Sequence, residues 1–153
     1  SENHDEGGNC TSYRLPFLEK PTTLHGIWDY DLITHELQTR KLTGMELASM
    51  LDDEFSGTGK QLMAEKIDVE AWTWEAHKLA ISLVYGLLVP PVQVATASAG
   101  LADRASCNAD RARMAEMNIT INQNYMDLAL KTIHQQLATA GYRLAAVLND
   151  ALQ

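Results

Sequence analysis

Apolar positions begin to recur at helical spacing from Leu24 onward. Leu24, Trp28 and Leu32, with His35, share one stripe and Ile27 lies beside it, which predicts a helix with one buried face. In "LTGMELASML", Thr43 stands three residues before Glu46, ahead of Leu47, Met50 and Leu51. That order predicts a capping box opening a second helix. Glycines at 57 and 59 in "FSGTGK" predict a loop after it. A third helix is predicted over 68–88, with Val69, Trp72, Ala76, Leu79, Ala80 and Val84 facing inward, stopped or bent by Pro90 and Pro91. Residues 92–118 are Ala-rich and compatible with helix, without clear limits. The last helix has the most regular stripe: Met126, Leu130, Ile133, Leu137, Ala140, Leu144 and Leu148 recur at steps of three and four. Gly141 interrupts it at a cost of about 1 kcal/mol against alanine, so a close approach by another backbone is expected there. Residues 1–22, with Gly7, Gly8, Pro16 and Pro21, show no sustained period. No alternating pattern of strand length occurs, and the expected fold class is all-α.

Composition narrows the function. With 153 residues, 46% hydrophobic and 21% charged, the chain is sized for one globular domain with a real core. The longest apolar run, "AISLVYGLLVPPVQVA", contains Gly86, Pro90 and Pro91 and is shorter than the roughly 20 residues of a membrane helix. The opening "SENHDEGGNC" is polar and acidic and is no signal peptide, so an exported form would already have lost its signal. The net charge of −8 disfavours binding a phosphate backbone by basic surface alone, because the twelve Lys and Arg are scattered and "LDDEF" is an acidic block. A nucleic-acid function needs another source of positive charge, and divalent metal is the obvious one.

Few residues offer chemistry. His25 and Asp29, in "LHGIWDYDLI", stand at i and i+4 and face one side of a helix, where imidazole nitrogen and carboxylate oxygen could grip one metal ion. A surface hydrogen bond is the plain alternative, and two ligands are fewer than the three that a zinc site takes from protein. His4 and Asp5 lie in a polar, glycine-flanked stretch. His77, in "WTWEAHKLA", reads as a partly buried histidine; His35 and His134 read as helix-surface residues. No glycine-rich phosphate loop and no nucleophile elbow occurs. Cys10 and Cys107 fit one disulfide or two buried thiols. "NCT" at 9–11 and "NIT" at 118–120 are glycosylation sequons, relevant only to a secreted eukaryotic chain.

Four segments, in order, resemble the zinc-dependent nucleases of the S-one/P-one type. They are "DEGGN" at 5–9; "LHGIWDYDLI", similar to that family's Asn-Leu-His-x-x-Trp-Asp; "WTWEAHKLA", similar to Trp-Ala-x-Glu-Ser-x-x-x-Ala; and "QLATAGYRLAAVLN" at 136–149, similar to Gln-Leu-x-x-Ala-Gly-x-Arg-Leu-Ala-x-x-Leu-Asn. The resemblance implies the helical fold of zinc phosphodiesterases and a cleft holding three zinc ions. It implies cleavage of single-stranded DNA or RNA to 5′-phosphate products, often with 3′-nucleotidase activity, in a secreted or periplasmic protein. His25 and Asp29 match two ligands of one zinc. Gly7, Gly8 and Asn9 match the loop lining the nucleotide pocket, with Asp5 and Glu6 beside it. A cysteine after Gly-Gly-Asn resembles some bacterial members and favours a Cys10–Cys107 bridge.

The departures define a further expectation. The family's N-terminal tryptophan, its earlier His and Asp ligands and its Pro-Leu-His ligand are not in this chain. The whole of 1–153 is therefore expected to be the C-terminal portion of one nuclease domain, inert alone, with the N-terminal portion as a separate chain. Thr23 replaces the usual Asn and Ala76 the usual Ser. Two alternatives stand: a zinc phospholipase C of the same fold, disfavoured because that family carries His-x-x-x-Glu, and a helical binding module without catalysis.

Overall fold

The computed structural model describes residues 6–88, 107, 111–112, 114–116 and 118–152, so Pro90, Pro91 and most of the Ala-rich segment lie outside the described residues. The described part is mostly helical, as the apolar periodicity requires. Residues 6–23 are irregular but tied down by two isolated bridges. Tyr13 and Thr22 exchange N–H···O bonds of 2.8 Å, and Arg14 bonds to Ile119 and Ile121 at 2.8 and 2.9 Å. These bonds satisfy the backbone of a segment that carries Tyr13 and Leu15 into the core.

Helix α1 covers 24–40. It opens as Leu24–Gly26, widens into a π turn over Ile27–Asp31 and continues as Leu32–Arg40. Thr23 caps it, its hydroxyl accepting the Gly26 N–H at 3.0 Å. Threonine thus does the capping that asparagine would do in the family pattern. Leu24 and Leu32 are buried as the stripe predicts, Ile27 beside them is buried completely, and Trp28 and His35 are half-buried. Leu24, Ile27 and Leu32 meet Tyr13, Leu15, Met114, Ile121, Tyr125 and Met126 in one core.

Helix α2, Gly44–Ala64, starts at the expected capping box, with the Thr43 hydroxyl and the Glu46 carboxylate each bonding the other's backbone. It does not end at "FSGTGK" but runs through both glycines. Gly59 is a packing notch, not a breaker: a Cβ there would stand 2.2 Å from Cζ of Tyr142. The ring lies across α2 and its hydroxyl donates to Asp52 Oδ1 at 2.6 Å. The close approach expected at Gly141 is not found, since nothing lies within 4 Å of a Cβ there.

Helix α3, Val69–Leu79, is capped by Asp68 and continues into a π turn, Ala80–Tyr85. The expected inward face is only partly realised. Trp72, Leu79, Ala80 and Val84 are half-buried, whereas Val69 and Ala76 are exposed and no residue of α3 is fully buried. The helix meets α4 through polar ends instead: Arg143 Nη2 donates to Glu75 Oε2 at 2.5 Å and its guanidinium lies 4.9 Å over the Trp72 ring. His77 is likewise exposed, edge-on to Trp74 at 5.5 Å, not partly buried as its neighbours suggested.

Helix α4, Gln123–Ala151, is capped by Asn122. Its stripe is buried only in its first half. Met126 and Ile133 are in the core, while Leu137, Ala140, Leu144 and Leu148 are exposed. The first half packs on α1 and the entry segment; beyond Ile133 the described residues leave that face open. An apolar groove of about 620 Å³ runs between α1, α2 and α4, lined by Ile33, Leu37, Leu47, Leu51 and Leu137. No described helix is long and apolar enough to cross a membrane.

Two histidines expected on helix surfaces are engaged. His35 stacks on Phe17 with ring centroids 3.7 Å apart. His134, with its side chain 17% exposed, meets Glu36 at 2.6 Å, and Arg40 donates to the same carboxylate at 2.7 Å. Burial alone would raise the Glu36 pKa. The hydrogen bonds and charges of His134 and Arg40 outweigh it and hold the carboxyl below its ordinary value.

A carboxyl whose folded pKa is depressed stabilises the fold above its unfolded value and loses that contribution as pH falls through the folded one. E36Q is therefore expected to cost on the order of 1–3 kcal/mol near neutrality, with the gap to wild type closing below about pH 4, read by urea unfolding across pH. The glycines give a second test. Gly59→Ala should destabilise by about 1–3 kcal/mol because the Tyr142 ring must leave its seat. Gly141→Ala should stabilise by roughly 0.5–1 kcal/mol, being an open helix-interior site; equal effects in unfolding titrations would contradict the notch.

Candidate functional site

The loop 6–9 and the first turns of α1 form one surface. Glu6, Gly7 and Gly8 all have positive φ, of 51°, 69° and 89°, which turns the chain back on itself. Gly8 is required at its position: besides its φ, a Cβ would stand 3.0 Å from the His25 nitrogen and from Leu24 Cβ. Asn9 Nδ2 donates to the Glu6 carbonyl at 3.0 Å and closes the turn. Thr11, buried beneath, donates its hydroxyl to Gly8 O at 2.6 Å and accepts the Leu24 N–H at 2.8 Å.

The first amides of α1 are thereby all taken. Leu24 N–H goes to Thr11, His25 N–H to Gly8 O at 3.4 Å, and Gly26 N–H to Thr23. No free amide cluster remains to hold an anion at this helix start. What the arrangement presents is side-chain chemistry.

His25 and Asp29 face outward together, 48% and 63% exposed, with Nε2 and Oδ2 3.0 Å apart. A tetrahedral ion with bonds of about 2 Å holds its ligand atoms about 3.3 Å apart. The separation is compatible with a shared metal ion and equally with the direct His–Asp hydrogen bond that the pair makes here. Their orientation is fixed from inside: Ile27 is fully buried, and Trp28 Nε1 donates to Tyr125 Oη at 2.9 Å with the rings edge to face. Tyr125 Oη in turn donates to Val84 O at 2.8 Å. Burial pushes the Tyr125 pKa up to about 12, the Trp28 bond offsetting part of it, so the phenol stays a neutral donor.

Cys10 and Cys107 form a disulfide, with Cα atoms 4.7 Å apart. Glu6 lies beside it, and among the described residues Glu6, Cys10 and Cys107 form the group whose potential ligand atoms fall within 4.8 Å of one another. With the sulfurs bonded to each other no thiolate is available, so this group is not a metal site. The bridge instead anchors the end of the glycine loop.

The structure thus brings together six of the residues singled out in the sequence: Glu6, Gly7, Gly8 and Asn9 on the loop, and His25 and Asp29 on α1. Asp5 and His4 lie outside the described residues. Sequence reasoning missed Thr11, and it missed a bond from the Thr22 hydroxyl to Asp31 Oδ2 at 2.6 Å that crosses Gly26. An isolated glycine inside a helical pattern, three and four residues after two threonines, was the available signal.

A model of the S1/P1 Nuclease family matches residues 1–153, the whole chain. No curated protein and no solved structure matches it. The family model brings with it hydrolysis of phosphodiester bonds in nucleic acid and, in general, dependence on metal. On that match, together with its helical fold, the chain belongs to the S1/P1 nuclease family.

Proposed function

We propose that this chain is the C-terminal portion of a zinc-dependent phosphodiesterase that cuts single-stranded DNA or RNA to 5′-phosphate products, with 3′-nucleotidase activity. The observation that carries the proposal is the family match over residues 1–153, and the outward pair of His25 Nε2 and Asp29 Oδ2, 3.0 Å apart beside the glycine loop, supports it. His25 Nε2 and an Asp29 carboxylate oxygen would hold one zinc ion, a donor set that zinc accepts. A zinc ion held there would supply Lewis acidity toward the phosphate and activation of a water.

The protein's own contribution is placement. The loop from Glu6 to Asn9 forms one edge of the nucleotide pocket, and Gly7, with open space around it, lets a ligand come close to backbone; Asp5 precedes this loop in the sequence. The acidic balance is tolerable because metal, not a basic surface, meets the phosphate. Two ligands are fewer than the three that zinc takes from protein in a catalytic site. The remaining ligands of the three-zinc cluster come from an N-terminal portion of the same domain, and this chain alone is inert. The disulfide supports a secreted or periplasmic location.

The test is to assay the chain alone and then with the N-terminal portion supplied as a second polypeptide. Single-stranded DNA cleavage is expected only in the second case, is abolished by chelator, and falls by at least about 100-fold in H25A or D29A. Cleavage by a verified pure sample of this chain alone would overturn the division of ligands. Hydrolysis of a phosphatidylcholine analogue in place of single-stranded DNA would overturn the nuclease reading.

A further inference from the structure

We infer that Thr22 and Asp31 are positioning residues for the His25–Asp29 pair, acting through the π turn of α1; the inference rests on the zinc reading above. A π turn places an extra residue in one helical turn. It rotates the downstream part of the helix by about 100° relative to an unbroken α-helix. Here the Leu32 N–H reaches back five residues to Ile27 O, and Asp29 lies inside the widened turn. Whatever holds this turn open therefore decides where the Asp29 carboxylate stands relative to His25, which lies just before it.

The turn is held on both sides. Inward, Ile27 is buried and Trp28 is hydrogen-bonded to Tyr125. Outward, the Asp31 side chain reaches back along the helix and accepts the Thr22 hydroxyl at 2.6 Å, a bond across nine residues. It passes directly over Gly26, where a Cβ would stand 2.7 Å from Thr22 Oγ1 and 3.3 Å from Asp31 Oδ2. The glycine inside "LHGIWDYD" is thus explained by the strap above it. π turns are rare and recur at functional sites; this one carries a candidate ligand and a side-chain strap that maintains it. With its Oδ2 engaged by Thr22, Asp31 orients the turn while Asp29 faces the metal.

The experiment is titration with Zn²⁺ of the 153-residue chain assembled with its N-terminal portion, followed through residue-resolved NMR signals of the His25 ring. Wild type should saturate, and in D29A the His25 signals should respond far more weakly. T22V, which removes the donor but keeps the shape, should weaken binding by about 10-fold or more, while T22S should restore it. Gly26→Ala, which displaces the strap without touching either polar group, should reproduce T22V, and amide signals outside the turn should stay in place in each variant. Binding by T22V and Gly26→Ala equal to wild type would overturn the positioning role and leave the zinc reading intact. A wild-type assembly whose His25 signals do not respond to zinc would overturn the zinc reading, and the positioning role with it.

Discussion

Thr11 keeps its hydroxyl buried between the glycine loop and the first turn of α1, donating to Gly8 O and accepting from Leu24 N–H. Both bonds are shielded from water, so losing either leaves a polar group stranded at a cost of about 1–3 kcal/mol. The geometry of the site follows from this joint. It seats Gly8 against His25, and it occupies an amide that would otherwise be an open helix end. One residue before it, Cys10 is bridged to Cys107 across a separation of 97 residues. In the chain-entropy account such a closure contributes about 4–5 kcal/mol. The loop is thus fixed from below by a hydroxyl and from the side by a covalent bond.

The fold was legible where its causes are local. The Leu24, Trp28, Leu32 stripe with Ile27 beside it, the Thr43–Glu46 capping box and the first half of α4 depend on neighbours within two turns; the capping box and the α4 half appear as read, and in the stripe Ile27 is buried more deeply than Trp28. Gly59 was misread because a glycine that breaks a helix and one that admits a ring look alike until Tyr142 is placed against it. The second half of the α4 stripe has the same apolar spacing as the first, yet the described residues bring nothing onto it. Periodicity states which face can be buried and not whether a partner is there. Glu36 and His134 escaped notice because they meet from different helices, 98 residues apart.

The candidate site divides along the same line. His25 and Asp29 are visible as an i, i+4 pair, but spacing cannot separate a metal pair from a surface hydrogen bond. The family resemblance is what favours the metal reading. The Thr22–Asp31 strap was hidden for another reason: a spacing of nine across a π turn matches neither helical nor strand periodicity. Through Trp28, the surface that carries Asp29 is also tied to Tyr125 in α4 and on to Val84 after α3. Three helical segments therefore share one phenol, and the outward face of the site is set by a buried, neutral hydrogen bond.

Charge sets the last condition. A chain of net charge −8 that acts on a polyanion must change sign locally. Glu6, Asp29 and Asp31 crowd more negative charge onto the surface that would meet phosphate. In Coulomb terms a bare carboxylate near a phosphate is repelled, and more strongly wherever water is excluded. A divalent ion reverses that, because each coordinated carboxylate becomes part of a net-positive centre. Asp29 is exposed beside His25 and Asp31 is turned away to Thr22, so the two carboxylates two residues apart have different surroundings. On the proposed reading, one offers its charge to metal while the other gives its acceptor to a hydroxyl and keeps the first in place. On that reading the acidic surface suits nuclease chemistry through bound metal, and metal occupancy, more than sequence or fold, is the condition on which activity depends.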